Sequence, residues 1–122
     1  MATRLERIQS ILNEICTGNP DITGAAVVSE EGLIIASNLP AGIDEQRVSA
    51  VFAALQSIAE RAAEQIGLGK ITRMMVFAEK GGALMCSGGK ASLVIFIRQK
   101  AKLGLVLMDA SDAYEKLSEL LK

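Results

Sequence analysis

Residues 44–66, DEQRVSAVFAALQSIAERAAEQI, decide how the rest of the chain must fold. Val48, Val51, Phe52, Leu55, Ile58, Ala59, Ala62 and Ile66 recur at helical spacing and form one wide apolar stripe that calls for a core to cover it. At about 100° per residue, Ala50, Ala53, Ala54 and Ser57 gather on the opposite side, where a lone surface helix carries Lys and Glu. Two readings of that small face stand open. Alanine is the best helix former and needs no partner; equally, small residues let a second helix backbone approach closely. Asp44 is placed to cap the helix N-terminus and Glu45 adds negative charge to the first turn. Gly67 followed by Leu68 fits a glycine C-cap with its hydrophobic contact.

Outward from this helix the pattern is regular. Thr3 and Glu6 make a capping box, and Leu5, Ile8, Leu12 and Ile15, flanked by Ile11 and Cys16, trace one helical face until Gly18 and Pro20 stop it. Ile22 to Ser29 and Leu33 to Ser37 are β-rich runs joined by a turn at Glu30, Glu31 and Gly32. Both are apolar on both sides, so both faces of their sheet need cover. Beyond the long helix, Ile71 to Ala78, Ala83 to Ser87 and Ser92 to Arg98 are strands, with turns at Lys80, Gly81 and Gly82 and at Gly88, Gly89 and Lys90. Leu103 to Met108 would also pass for a strand. The stripe Leu103, Val106, Leu107, Ala110, Tyr114, Leu117, Leu120 and Leu121 instead predicts a helix to the end of the sequence. The order helix-strand-strand-helix-strand-strand-strand-helix predicts a single α+β domain over residues 1–122: a three-layer sandwich with a five-stranded antiparallel sheet and helices on both faces.

Composition narrows the function. A chain of 122 residues suits one core, which can bury roughly two thirds of its unfolded surface. With 50% hydrophobic but only 3% aromatic residues, that core is built of Val, Ile, Leu, Met and Ala. The mean hydropathy of +0.33 is high for a small monomer and points to apolar surface covered by another subunit. A net charge of −1, from 13 basic and 14 acidic residues, creates no field to recruit nucleic acid, and stacking platforms are scarce. The charges interleaved in MATRLERIQSILNEI do not make a signal peptide, and no apolar run reaches the roughly 18 residues of a membrane span. Cys16 and Cys86 belong to no C-x-x-C pair and are expected as buried thiols in a reducing, cytoplasmic setting.

The chain has no histidine, which removes Ser-His-Asp and Cys-His nucleophile activation and the usual zinc ligands together. GALMCSGGKAS fails as a phosphate loop because Leu84 and Ala91 stand where Gly and Ser or Thr are needed. Gly67 to Thr72 lacks the third glycine of a dinucleotide fingerprint and follows a helix, not a strand. The carboxylate pairs Glu30–Glu31 and Glu60–Glu64 fall in a turn and on a polar helix face, without the burial that tunes a catalytic group. Arg47, Arg61, Arg73 and Arg98 are candidate phosphate or partner contacts, though a lone arginine is more often a surface charge, and Met74, Met75 and Met85 are core filler more than an adaptable surface. No cofactor, metal or catalytic residue is expected.

Gly24-Ala25-Ala26-Val27-Val28-Ser29 followed by Gly32-Leu33-Ile34-Ile35-Ala36-Ser37, and later Ala101-Lys102-Leu103-Gly104-Leu105-Val106, resemble two signatures of the Roadblock/dynein light chain family, with Lys102 in place of the usual Asn. That family includes the MglB-type bacterial regulators of small Ras-like GTPases. The resemblance covers essentially the whole chain and implies a profilin-like fold. It further implies a homodimer in which the long helices pack together and the strand Ile71 to Ala78 pairs with its mate. Ala50, Ala53, Ala54 and Ser57 on the helix and Thr72, Met74 and Val76 on the strand would then form the interface. The function implied is a non-enzymatic regulator or scaffold for a small Ras-like GTPase, contacted by the helix rim Arg47, Glu60, Arg61 and Glu64. A structural adaptor of the dynein light chain type, without GTPase regulation, is the alternative.

Overall fold

The computed structural model describes residues 2–87 and 90–121. Its elements run α1 (Arg4–Gly18), β1 (Ile22–Ser29), β2 (Ile34–Asn38), α2 (Glu45–Gln65), β3 (Arg73–Ala78), β4 (Gly81–Ser87), β5 (Ala91–Arg98) and α3 (Leu103–Leu120). All neighbouring strands are antiparallel, in the order β2-β1-β5-β4-β3. Two hairpin units thus join through β1 and β5, and β2 and β3 are left as the edges.

Strand alternation assigns the helices to opposite faces. Ala25, Val27, Leu84, Cys86, Leu93, Ile95 and Ile97 point to one side and bury Ile8, Leu12 and Ile15 of α1 with Val106, Ala110, Ala113 and Leu117 of α3. Ala26, Val28, Met85 and Val94 point to the other, where Phe52 of α2 meets Phe96 edge-on with ring centroids 5.7 Å apart. This is the predicted three-layer arrangement.

The expected local devices form. Thr3 and Glu6 bond each other's backbone in a full capping box, and the Asp44 carboxylate accepts from the Arg47 amide. At the end of α2, Gly67 adopts φ +76° while its amide donates to Glu64 O and that of Leu68 to Ala63 O, a Schellman closure. Leu68 itself stays 72% exposed, so the expected hydrophobic contact of that cap is missing. Leu5, assigned to the buried face of α1, is likewise exposed, and Cys16 is half-buried while Cys86 is buried.

Strand limits shift where the turns claim residues. Leu33 is not in β2: it closes the hairpin, its carbonyl accepting from the Ser29 amide and its own amide bonding Ser29 Oγ. β3 begins at Arg73, not Ile71, and Gly81 and Gly82 are not a turn but the first residues of β4. Of the turn expected at Gly88, Gly89 and Lys90, the two glycines lie outside the described residues. Lys102 offers no side-chain cap, yet α3 starts directly after it, with the Val106 amide bonded to Lys102 O.

Asp21 ties the end of β1 to both β5 and α3. Its buried carboxylate accepts from Arg98 Nε and, at 2.8 Å, from the Lys102 amide; its amide bonds Asn19 Oδ1, and Asn19 Nδ2 reaches Asp109. The Lys102 amide first, then Arg98, holds the Asp21 carboxyl below its ordinary 3.8 against the opposing effect of burial. A lowered pKa in the folded state adds stability that is present above 3.8 and is lost as pH falls through the folded value. Urea midpoints taken from pH 7 downward should therefore fall below about pH 4 more steeply for the wild type than for Asp21→Asn, and equal slopes would remove Asp21 from the acid response.

Candidate functional site: the outer face of α2 and the β3 edge

α2 seats neither expected face squarely on the sheet: Val48, Phe52, Leu55 and Ala59 of the expected core stripe are half-buried, whereas its other members are exposed. The helix rests on the sheet through Ser49, Phe52, Ala53, Gln56 and Ala63, buried or half-buried, while Val51, Ala54, Ile58, Ala62 and Ile66 face outward. Val51 is 55% exposed, Ile58 66% and Ile66 70%. The reason is the β1–β2 turn. Gly32, at φ +88°, brings its backbone so close that a Cβ there would lie 3.4 Å from Ala53 Cβ and 3.6 Å from Ala50 Cα. The turn leaves room for only a small side chain at Ala53, while Phe52 beside it packs on the sheet. One side of the apolar stripe that called for a core is thus an uncovered ridge: the expected core assignment of Val51, Ile58, Ala62 and Ile66 is overturned, while Val48, Phe52, Leu55 and Ala59 keep a half-buried place.

Of the small residues singled out, Ala54 is part of the ridge, Ala50 and Ser57 are exposed at its margin, and Ala53 is half-buried against Gly32. Arg47, Glu60, Arg61 and Glu64 are all exposed around α2, with Glu60 accepting a bond from Gln56 Nε2. The bulky ridge was missed as a surface because helical spacing defines a face without saying which way it looks.

Next to α2 runs the free edge of the sheet. β3 pairs with β4 from Arg73 opposite Cys86 to Ala78 opposite Gly81, and among the described residues no strand lies on its other side. Met74 is half-buried and Val76 is 42% exposed on the α2 side, while Phe77 is 64% exposed on the other; Thr72 is exposed just ahead of the strand, its carbonyl bonded to the Ser87 amide. An exposed apolar edge of this kind is a template for another strand.

Between α2 and the sheet ends, a cleft of about 430 Å³ is lined by Glu30, Gln56, Glu60, Glu64, Gly69, Lys70, Ile71 and Ser87. Ser92 Oγ donates to Gln56 Oε1 at 2.7 Å and lies 3.1 Å from Ser87 Oγ, so the buried hydroxyls are mutually satisfied. Among the described residues no three His, Cys, Asp or Glu side chains come together to hold a metal ion, and no helix is long and apolar enough to cross a membrane. Burial pushes the Cys86 thiol up and Arg73 offsets this only in part, which keeps it protonated and a poor nucleophile at neutral pH.

A structure of Myxococcus xanthus MglB superposes with a TM-score of 0.91 over 99% of this chain and 92% of that one, at 18% identity. Profilin II of Acanthamoeba castellanii does so with a TM-score of 0.67 over 89% and 94%, at 16% identity, which places the fold in the profilin-like class. In sequence, an uncharacterised protein of Methanocaldococcus jannaschii is 37% identical over 99 residues, 81% of this chain and 87% of that protein. Residues 12–96 match the family model of the Roadblock/LC7 domain, and the chain belongs to that family.

Proposed function

We propose that this protein is a non-enzymatic, homodimeric regulator or scaffold that binds a small Ras-like GTPase in the cytoplasm and modulates its nucleotide cycle. The observation that carries this reading is the uncovered ridge Val51, Ala54, Ile58, Ala62 and Ile66 beside the unpaired β3 edge, on a chain of the Roadblock/LC7 family. A second copy takes the ridge and the edge, including Ala54, Met74 and Val76. The GTPase takes the polar rim of α2, where Arg47, Glu60, Arg61 and Glu64 provide charge of both signs for register and specificity. The choice of a GTPase as partner comes from the MglB-type members the sequence resembles.

Titration calorimetry of the purified protein against the small Ras-like GTPases of its own organism, loaded with GDP or a GTP analogue, tests this. Binding in one nucleotide state is expected, weakened about tenfold by Arg61→Glu with the dimer intact, because a rim charge is reversed and no apolar contact is lost. No binding in either state would overturn the GTPase reading. Co-purification of scaffold polypeptides without any GTPase would move the protein to the adaptor alternative.

A further inference from the structure

We propose that the α1/α3 face of β3, bounded by the outer flank of α3, is a docking surface for an acidic amphipathic helix of a partner protein, held by Phe77 and by Arg73, Lys80, Lys100 and Lys102. It lies on the side of the sheet away from α2, so a partner seated here leaves the rim of α2 open.

The helical layer on this face is one helix short. Helices pack about 8–10 Å apart and strands lie about 4.8 Å apart, so one helix covers about two strands. α1 lies on β1 and β2, and α3 lies beside α1 with β4 beneath it. β3, the outermost strand, carries no helix of its own among the described residues. Met75 reaches the α1/α3 core and is half-buried, which puts Arg73 and Phe77 on the same side of the strand, both exposed. The Phe77 ring comes within 3.4 Å of where a Cβ on Gly82 would stand, so it lies over a residue without a side chain and stays 64% exposed.

Charge is segregated around this shelf. Val106, Ala110, Ala113 and Leu117 of α3 point into the core, and Asp109, Asp112 and Lys116 line a cleft against α1. At about 100° per residue the opposite flank, toward β3, is Leu107, Ser111, Tyr114 and Ser118, with no carboxylate. Gln99 Nε2 donates to the Glu79 carbonyl at 2.7 Å and ties the β5–α3 turn to the β3–β4 turn, which brings the exposed Lys80 and Lys100 together. Lys102 follows at the start of α3, and Arg73 stands at the far end of β3; Glu79 is the one acidic residue of the two turns. The shelf is thus apolar along its length and basic at both ends, which fits an apolar helix stripe flanked by carboxylates. The 6 residues of β3 span about 20 Å, the length of a helix of about 14 residues.

The self-association proposed above sets the count. Paired β3 strands about 4.8 Å apart cannot each carry a helix about 10–12 Å wide, so one partner helix serves two copies. Only this count rests on the self-association.

Two synthetic helical peptides of about 14 residues, sharing one leucine stripe and bearing either glutamate or lysine elsewhere, are the probes. Calorimetry with the wild-type protein should give at least about tenfold tighter binding of the glutamate peptide, at one peptide per two chains. Phe77→Ser should weaken that binding about tenfold, and Lys80→Glu combined with Lys100→Glu should reverse the preference; all three positions are exposed, and circular dichroism checks that the fold is kept. Amide shifts on titration should gather at Met75, Phe77, Gly82 and Leu107 and leave Glu60 and Glu64 unmoved. Equal binding of the two peptides, preference for the lysine peptide, shifts centred on α2, or no binding of either would overturn the proposal. Sedimentation with phosphatidylserine vesicles without peptide binding would overturn it in favour of a membrane surface. One glutamate peptide per chain on a dimer would overturn the shared seat, whereas the same ratio on a monomer would support the docking surface and overturn the self-association.

Discussion

Replacing Ile58 by Glu is expected to leave the fold intact and abolish self-association. Ile58 is 66% exposed within one copy, so its loss removes little from the packing of the chain itself. In a dimer it sits mid-ridge, between Val51 and Ile66, and its burial contributes about 1.5–3 kcal/mol. Glutamate removes that term and adds the desolvation of a carboxylate in an apolar contact, which costs several kcal/mol more. Light scattering across a dilution series should show self-association weakened at least about a hundredfold, with the far-ultraviolet circular dichroism unchanged. An Ile58→Glu protein that stays dimeric would place the interface away from the ridge. Ala53→Glu is the contrasting variant, because it forces a carboxylate against Gly32 and should lower stability before it touches the dimer.

Gly81→Ala is expected to destabilise the fold by about 3 kcal/mol or more, the larger part through a collision. Gly81 opens β4 at φ +153°, and a Cβ there would lie 2.5 Å from the Ile97 carbonyl oxygen of β5, a backbone atom held by its own ladder. The same substitution at Gly67, which has φ +76° but nothing within 4 Å, bears only the backbone cost of about 1 kcal/mol. Thermal melts should separate the two by on the order of 10 °C. A Gly81→Ala protein melting with the wild type would mean that β4 can retreat from β5 at no cost.

Much of this architecture was legible in the residues. Helical spacing in α1, α2 and α3, the Thr3–Glu6 box, the Asp44 cap and the Gly67 closure are local devices, decided within a turn or two of chain. The strands were legible for the same reason, as short β-rich runs between glycine-bearing turns. Gly81 and Gly82 show where local logic ended. Two adjacent glycines signal a turn, but here they are required because β3 and β5 crowd β4 from both sides, a contact made only once the strands pair.

The candidate site was legible only in outline. Its helix, its strand and the residues Ala54, Met74 and Val76 could be named from the sequence and the family resemblance, but the orientation of α2 could not, so Val51, Ile58, Ala62 and Ile66 were assigned to the core. Periodicity places Ala50 and Ala53 on one side and Val51 and Ile58 on another, and either side could have met the sheet. The sequence by itself determined the order of elements, their caps, the two apolar-compatible faces of α2 and the absence of histidine chemistry, all properties of neighbouring residues. The tertiary structure alone decided how α2 is turned on the sheet: the Gly32 turn comes down on Ala53, Phe52 packs on the sheet, and Val51, Ile58 and Ile66 are left uncovered beside the edge strand β3.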